Sequence, residues 1–235
     1  MGKPPWIQIS HRDDYGIEIV AREFLKTKTI ISRLVAEGEH QRQDFKYKIT
    51  DACKLAKSVS AFANTDGGRL LIGVRDDGHL CGVRSEEEIY MMTTAAKDYC
   101  LPAVVIHFDT YITDGKTIVV ANVPRAAKRP VRSICDDGRW RAYIRVADEN
   151  IVASPVHLRM WEEESSLNGH LVSIGETERK VMAAMEQGLG WPLKQIVKKS
   201  GEPYHDVVLV VARLVRYGLA SCFLSEGKFL FRLET

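Results

Sequence analysis

Apolar positions follow a helical rhythm near the start of the chain and then form continuous or alternating runs. Residues 13–37 show helical spacing in two halves around a threonine-rich patch, which predicts two short helices. Residues 43–49 alternate as a strand does, and Asp51 to Asn64 return to helical spacing. Gly67 and Gly68 can adopt the left-handed conformation that ends a helix, so the apolar run from Leu70 to Val74 is predicted to be a buried strand.

Turn signals organise the next part of the chain. Asp77-Gly78 predicts a hairpin turn, and Gly73 in the preceding strand indicates a bulge or a close approach by another backbone or a ligand. Ser85 is predicted to begin a helix that runs to about Tyr99, with Glu88 completing a capping box.

Strands and helices continue to alternate after this helix. Val104–Ile112 and Thr117–Val123 are predicted to form a hairpin closed by residues 113–116. A strand over Arg139–Val146 and a helix over Pro155–Glu164 follow. The pattern predicts an α+β fold with a mixed sheet.

The last part of the chain has a different pattern. Helical spacing predicts helices over residues 176–187, 192–199 and 204–217, followed by strands at 222–224 and 229–233. Helices followed by a two-stranded wing are typical of a winged helix-turn-helix. Because residues 165–175 are polar and contain glycine, they suit a linker. We therefore expect an N-terminal helical segment (1–34), a central domain (35–167) and a small winged-helix domain (174–235).

Composition narrows the class of protein. The chain has 235 residues, of which 45% are hydrophobic, and no run of about 18 apolar residues that would span a membrane. The start of the sequence lacks the apolar segment of a secretion signal, so we expect a cytoplasmic location without membrane contact. The five cysteines are far apart and lack zinc-type spacing, which makes a disulfide framework or a structural metal site unexpected.

The central run resembles a known family signature. Ala61 to Val74, read with the preceding Asp44-Phe45-Lys46, resembles the signature of the Schlafen family's AlbA-type domain, also named divergent AAA. Pro130-Val131 and Tyr143 to Val146 are similar to the later part of the pattern, so the resemblance covers about residues 35–155. It implies a nucleic-acid-binding domain.

The resemblance also implies an enzymatic alternative. Some Schlafen proteins are metal-dependent endoribonucleases, and their acidic residues would correspond here to Glu39, Asp44 and one of Asp76 or Asp77. Mg²⁺ or Mn²⁺ would be needed only in that case. Asp44 is shorter than the family's glutamate, and Arg75 stands where an acid is common, so the alternative of solvated carboxylates beside a turn is favoured. No other metal or cofactor is predicted.

ATP binding has only the family label in its favour. Gly115-Lys116-Thr117 resembles the end of a phosphate-binding loop, but position 110 is threonine where that loop needs glycine. We interpret this segment as the hairpin turn. Gly67 and Gly68 lie at a helix C-terminus, where carbonyl groups rather than amides are presented.

Net charge is only +2, so nucleic-acid binding would require local clustering of cations. The region 125–145 contains seven Lys/Arg against two Asp, with Trp140 and Tyr143 interleaved as candidate stacking platforms. Strand alternation places Arg139, Arg141 and Arg145 on one face. The alternative is a face of solvated arginines. The candidate contacts in the central domain are Lys46, Lys48, Lys54, Lys57, Arg69, Arg125, Lys128, Arg129, Arg132, Arg139, Arg141 and Arg145.

The C-terminal domain adds a second candidate surface. Its cationic residues are Lys198, Lys199, Arg213 and Lys228. Val208 and Leu209 occupy positions of the third helix where base-reading polar side chains are expected, so a homodimer or a protein partner fits about as well as DNA. Together these features predict a nucleic-acid-binding protein, favour a DNA-binding transcriptional regulator over an RNA-binding protein, and leave a metal-dependent ribonuclease and a dimerising interaction protein as alternatives.

Overall fold

The computed structural model describes residues 27–134, 137–164, 174–186, 188 and 190–234. Helix α1 occupies residues 27–37, and the earlier helix predicted in positions 13–37 lies outside the described residues. The other helices are α2 (Ala52–Asn64), α3 (Ser85–Asp98), α4 (Pro155–Glu164), α5 (Glu176–Met185), α6 (Leu193–Ser200) and α7 (Tyr204–Arg216). The strands are β1 (Gln43–Lys46), β2 (Gly68–Ile72), β3 (Cys100–Leu101), β4 (His107–Thr113), β5 (Lys116–Val123), β6 (Arg132–Ile134), β7 (Trp140–Val146), β8 (Glu149–Val152), β9 (Trp191–Pro192), β10 (Ala220–Ser225) and β11 (Lys228–Leu233). The predicted α+β class with mixed sheets is confirmed.

The first sheet has the strand order β1-β2-β5-β4 and is covered on both faces. Strand β1 runs parallel to β2, and the other neighbours are antiparallel. Helix α1 covers one face through Ile31 and Leu34, which pack on Phe45 and Leu71. Helices α2 and α3 cover the other face. Burial on both faces explains why β2 is a continuous apolar run rather than an alternating one.

Helix α2 begins and ends where its sequence predicts. The Asp51 side chain caps its N-terminus by accepting hydrogen bonds from the amides of Cys53 at 2.9 Å and Lys54 at 3.3 Å. At the other end, Gly67 has a φ of +68° and its amide donates to the carbonyl of Phe62 at 2.9 Å. The family-like signature therefore contains a helix stop.

The second sheet, β3-β6-β7-β8, lies on the opposite side of α2. Two polar side chains of α2 hold it there. The hydroxyl of Ser60 donates to the carbonyl of Val131 at 2.8 Å, and the Asn64 amide nitrogen donates to the carbonyls of Val131 and Tyr143, both at 2.8 Å. The Asn64 amide oxygen also accepts from the Val131 amide at 2.7 Å. Buried Asn64 thus joins a helix end to a sheet that follows it by about 70 residues in sequence.

The predicted turns are present. Asp114 and Gly115 both have positive φ, as a two-residue type I′ turn requires, and they join β4 to β5. This confirms Gly115-Lys116-Thr117 as part of a hairpin. At Gly73, with φ of +96°, an added Cβ would lie 3.1 Å from Gly82 Cα, so the close approach is by backbone. The predicted capping box is wrong, because Glu88 accepts a hydrogen bond from the amide of Ile49 instead.

The C-terminal unit, residues 174–234, contains α5, β9, α6, α7, β10 and β11 in that order. Its sheet has the order β10-β11-β9. Helix α7 is apolar because its side chains are buried within the chain: Val207, Val210 and Val211 lie in the core of this unit, and Val208 and Ala212 are also buried. This packing accounts for the absence of base-reading polar residues on much of α7 and requires no second copy of the chain.

Helix α4 contacts both the second sheet and the C-terminal unit. On one side, Trp161 packs with Ala142 and Ile144 of β7. On the other side, Val156 and Met160 belong to the core of the C-terminal unit. The buried Glu163 carboxylate accepts from Arg159 at 3.2 Å and from Arg213 of α7 at 3.3 Å.

Candidate functional site

A concave surface opens at the end of the first sheet where β2 begins and β5 ends. Its volume is about 540 Å³. We call it the basic cleft and define it by the polar side chains that line it: His40, Arg42, Asp66, Arg69, His107, Asn122 and Arg125. These residues come from four separate stretches of the sequence, and three of them are arginines. Cations that are distant along the chain therefore meet in one concavity.

Strand register builds the floor of the basic cleft. Arg69 of β2 lies opposite Asn122 of β5, which in turn lies opposite His107 of β4. Residues paired in register point to the same face of a sheet, so these three side chains form a row. The row lies on the face covered by α1, next to the end of that helix at residue 37. The end of α1 thus leaves this part of the sheet open.

The side chain of Arg69 is held in place by its neighbours. Its Nε donates to Gln43 Oε1 at 2.6 Å, and its Nη2 forms an ion pair with Glu37. Gln43 is itself buried and donates to the carbonyl of Leu34 at 2.6 Å and that of Gly38 at 2.7 Å. These bonds fix the position of the Arg69 guanidinium before any ligand binds.

Asn122 is also oriented. Its amide nitrogen donates to Asp109 Oδ2 at 2.9 Å. A carboxylate can only accept, so Asp109 determines which end of the Asn122 amide faces it. The amide oxygen of Asn122 is the acceptor that this arrangement leaves on the other side.

The two glycines of the signature are needed for packing. A Cβ on Gly67 would lie 2.9 Å from both the Arg125 amide nitrogen and the Val123 carbonyl oxygen. A Cβ on Gly68 would lie 2.4 Å from the ring of Phe62. The Gly67 amide donates to the Phe62 carbonyl at 2.9 Å, so this amide is already occupied within the protein. The glycines therefore let the segment after β5, with Arg125, approach the end of α2.

The structure brings together only part of the predicted basic set. Arg69 and Arg125 line the basic cleft, and so do Arg42, His40 and His107, which no pattern in the sequence singled out. His107 is found only through strand register, and His40 and Arg42 only through the tight turn that precedes β1. The other predicted cations at exposed positions are Lys48, Lys54, Lys128, Arg139, Lys198, Lys199 and Lys228, while Lys57 and Arg132 are half-buried. Lys199 lies over the Trp191 ring, 3.6 Å from its centroid.

The predicted three-arginine face of β7 requires correction. The Arg145 side chain is only 1% exposed, because β7 is covered on that side by α2 and Arg145 lies over the Phe62 ring. Arg141 is bound by both carboxylate oxygens of Asp137, which lowers the pKa of Asp137 to about 2, first through that hydrogen bond. Of the two candidate stacking residues, Tyr143 is buried and Trp140 is 42% exposed. Arg139 stays exposed on this face, and the exposed Trp140 alternates with it onto the other face of β7.

Acidic partners engage three more of the predicted cations. Arg129 donates to Glu164 at 2.6 Å and to the Asn64 carbonyl at 3.2 Å. Arg213 is bound to Glu163 of α4. Lys46 Nζ lies 2.5 Å from Asp44 Oδ2. These three cations are therefore used in ion pairs within the chain.

The acidic residues of the ribonuclease alternative meet only in part. A tight turn at residues 40–43 supplies the bend that brings Glu39 to Asp44, and Glu39 accepts from the Phe45 amide at 2.8 Å. Partial burial raises the pKa of Glu39, the Phe45 hydrogen bond lowers it in part, and the Asp44 carboxylate raises it further.

Asp44 is already neutralised by cations of the protein. Arg145 Nη2 lies 3.2 Å from its Oδ1, and Lys46 lies beside its other oxygen. Asp76 and Asp77 belong to the turn after β2, where Asp77 accepts from the His79 amide at 2.9 Å. Among the residues that the structure describes, no group of three or more His, Cys, Asp or Glu is placed to hold a metal ion. The side chains present do not fit a divalent cation at Asp44.

A buried histidine and cysteine meet between α4 and β10. Cys222 Sγ lies 3.9 Å from His157 Nε2. Burial raises the pKa of Cys222 to about 12 and lowers the pKa of His157 to about 4. A nucleophilic cysteine needs the opposite shifts, toward thiolate and imidazolium. This pair is therefore part of the packing.

No helix within the described ranges is long and apolar enough to cross a membrane. No curated protein matches the sequence. Among solved structures, the chain is similar to the DIP2311 protein from Corynebacterium diphtheriae, with a TM-score of 0.43 and 18% identity over 70% of this chain and 39% of that chain. It is also similar to the N-terminal domain of a protein from Nitrosomonas europaea named as ATP-dependent DNA helicase RecG-related, with a TM-score of 0.40 and 24% identity over 51% of this chain and 86% of that domain.

A family match covers the region that contains the basic cleft and the second sheet. Residues 39–154 match the family described as Schlafen, AlbA_2. The matched range includes Asp44-Phe45-Lys46, the buried Asn64 that joins α2 to the second sheet, and Gly67-Gly68 at the cleft. Residues 39–154 of the chain are therefore a Schlafen AlbA_2 domain.

Proposed function

We propose that the chain binds nucleic acid through its phosphates at the basic cleft. The observation that carries the proposal is the meeting of Arg42, Arg69 and Arg125 in one concavity, although they lie far apart in sequence. Phosphate contacts by cationic side chains supply most of the affinity of sequence-independent binding. The AlbA_2 family assignment supports the same nucleic-acid-related function.

Electrostatics favour an anionic ligand at this place. Arg42 and Arg125 are exposed, and Arg69 is held by Gln43 and Glu37 in a fixed position. Asp66 lines the cleft and accepts from Gln41 at 3.2 Å, and Glu37 beside the cleft forms the ion pair with Arg69. Arg42 and Arg125 therefore supply the exposed positive charge that a phosphate would meet, against Asp66 in the lining.

The finer proposal is a DNA-binding transcriptional regulator whose C-terminal unit is a winged helix. The order of helices and strands in that unit and the exposed Lys228 beside the β10–β11 turn support it. Arg213 of α7 is engaged by Glu163, so the contribution of this unit to DNA binding would come from Lys228 and from Lys198 and Lys199 of α6. Pairing of two copies through this unit is the alternative use of the same surface.

The test measures oligonucleotide binding by fluorescence anisotropy as salt is raised from about 50 to about 200 mM. We expect affinity to fall with a log–log slope of about −0.7 to −0.9 for each phosphate neutralised. Arg125→Ala should weaken binding to all sequences alike and make the slope shallower by about one phosphate.

Lys97→Ala is the matched control, because it removes an exposed cation of α3 that belongs to neither predicted surface. Lys228→Ala tests the C-terminal unit separately. Binding that is independent of salt, or equal losses for Arg125→Ala and Lys97→Ala, would refute the basic cleft as the binding site.

A further inference from the structure

We infer that the basic cleft receives a single strand of nucleic acid with one base turned into it, and that it does not accept a continuous duplex. The inference rests on the proposed function and specifies its ligand. Its starting point is shape: the arginines line a concavity of about 540 Å³, the size of a pocket for a small molecule.

Reading the base edges of a duplex requires the opposite shape. A protein reads duplex DNA by inserting a convex element, a helix or a two-stranded ribbon, into a groove. In the basic cleft, the row of Arg69, Asn122 and His107 forms the floor, below walls that carry Arg42 and Arg125. A base that is paired and stacked inside a duplex cannot enter such a space, whereas an unpaired base can leave its strand and do so.

The chemistry of the floor suits a base next to a phosphate. Imidazole rings are among the flat side chains on which unpaired bases stack, and His40 and His107 both line the cleft. Asn122 is oriented by Asp109, so its amide oxygen is available to accept a hydrogen bond from a base edge. Arg69 is fixed beside Asn122, and the exposed Arg42 and Arg125 can neutralise the adjoining phosphate. One nucleotide therefore finds a stacking ring, a hydrogen-bond acceptor and a cation within one space.

Helix α7 is the convex element best suited to enter a groove of a duplex, and α4 covers part of it. In helix α7, Val208 and Ala212 are buried, and Arg213 is held by Glu163 of α4. The side of α7 that carries these residues therefore faces α4 within the same chain. The concave cleft, by contrast, brings three arginines together around one open space.

The experiment compares labelled single strands of about 12 nucleotides with a closed hairpin duplex of the same sequence. RNA and DNA versions of a sequence without thymine or uracil are both measured, because the cleft chemistry is shared and the two strands then differ only in the 2′-hydroxyl. We expect the single strands to bind at least tenfold more tightly than the duplex. His107→Ala should weaken single-strand binding at least about fivefold, the effect of losing one stacked base.

His107→Phe separates stacking from charge, because phenylalanine keeps a flat ring and has no ring nitrogen. It should retain most of the single-strand affinity that His107→Ala loses. Lys97→Ala again serves as the control and should leave the preference for single strands unchanged. Far-ultraviolet circular dichroism of each variant identifies any loss that comes from misfolding.

The outcomes separate the two proposals. Equal or tighter duplex binding that still depends on Arg125 would overturn the single-strand inference and keep the proposed function. Equal affinities for His107→Ala and wild type would also overturn the inference. Salt-independent binding, or no binding of any oligonucleotide, would overturn the proposed function itself.

Discussion

Arg145 and Asp44 form a buried ion pair, with Arg145 Nη2 3.2 Å from Asp44 Oδ1 and with side chains that are 1% and 7% exposed. The pair joins β7 of the second sheet to β1 of the first. Arg145 also donates to Asn150 Oδ1 at 3.0 Å and to the Gln43 carbonyl at 3.3 Å. Because Arg145 lies in β7 while Asp44 and Gln43 lie in β1, the guanidinium acts as a cross-link between the two sheets.

Removing the Arg145 charge should destabilise the fold. In Arg145→Met the carboxylate of Asp44 would stay buried with only Lys46 beside it. Breaking a buried pair on one side costs about 3–5 kcal/mol, and we expect the low end because Lys46 remains. Urea unfolding gives the free energy. Arg141→Met is the control, since its pair with Asp137 is exposed to solvent and should matter far less. Equal losses in the two variants would contradict the cross-link.

The same pair predicts the outcome of a metal assay. Asp44 is neutralised by Arg145 and Lys46, so Mn²⁺ should not stimulate RNA cleavage by the wild-type chain. The assay compares wild type with Asp44→Ala across a range of Mn²⁺ concentrations. Cleavage that requires Mn²⁺ and disappears in Asp44→Ala would reverse this prediction and establish the ribonuclease alternative.

Gly67 should be far less tolerant of substitution than Gly115. Both have positive φ, which costs a residue with a Cβ about 1–2 kcal/mol. An added Cβ on Gly115 meets nothing within 4 Å, whereas on Gly67 it meets backbone atoms of the Arg125 segment at 2.9 Å. We expect Gly67→Ala to cost about 1–3 kcal/mol more than Gly115→Ala in thermal unfolding. Similar values for the two variants would show that the cleft wall can move away.

Stability should fall between about pH 6.5 and pH 4 because of His157. Burial lowers its pKa from 6.5 to about 4, so the unfolded chain takes up a proton at a higher pH than the folded chain does. The neutral ring's contribution is complete above pH 6.5 and is lost as the pH falls to about 4, by about 3 kcal/mol in all. In His157→Leu this part of the pH dependence should be absent. A difference between wild type and variant that is constant with pH would contradict the assignment.

Features that depend on neighbouring residues could be predicted from the sequence. The start of α2 at about Asp51, the Gly67 helix stop and the Asp114-Gly115 turn are each determined within a few residues, and each is present. The short strands β3, β6 and β8 were not predicted, because two to four residues form a strand only when a partner strand is beside them. The Glu88 capping box failed for a similar reason, since a distant amide bound its carboxylate.

In the basic cleft, too, locally determined features could be predicted and features that depend on distant residues could not. Arg69 and Arg125 could be identified from charge alone, but the cleft exists because register places Asn122 and His107 next to Arg69. Alternation along β7 correctly put Arg141 and Arg145 on one face. Alternation does not tell whether a face is open, and in this protein α2 covers it. Exposure is a property of the whole fold, so charge patterns alone overestimated the basic surface.

Helix α4 carries Trp161 toward the second sheet and Val156 and Met160 toward the core of the C-terminal unit. If either the second sheet or the C-terminal unit unfolded, one side of α4 would lose its packing partner. We therefore expect the family domain and the C-terminal unit to melt in one cooperative transition, with a calorimetric enthalpy equal to the van't Hoff enthalpy. A chain truncated after α4 would expose the apolar side of that helix to water and would be prone to aggregate.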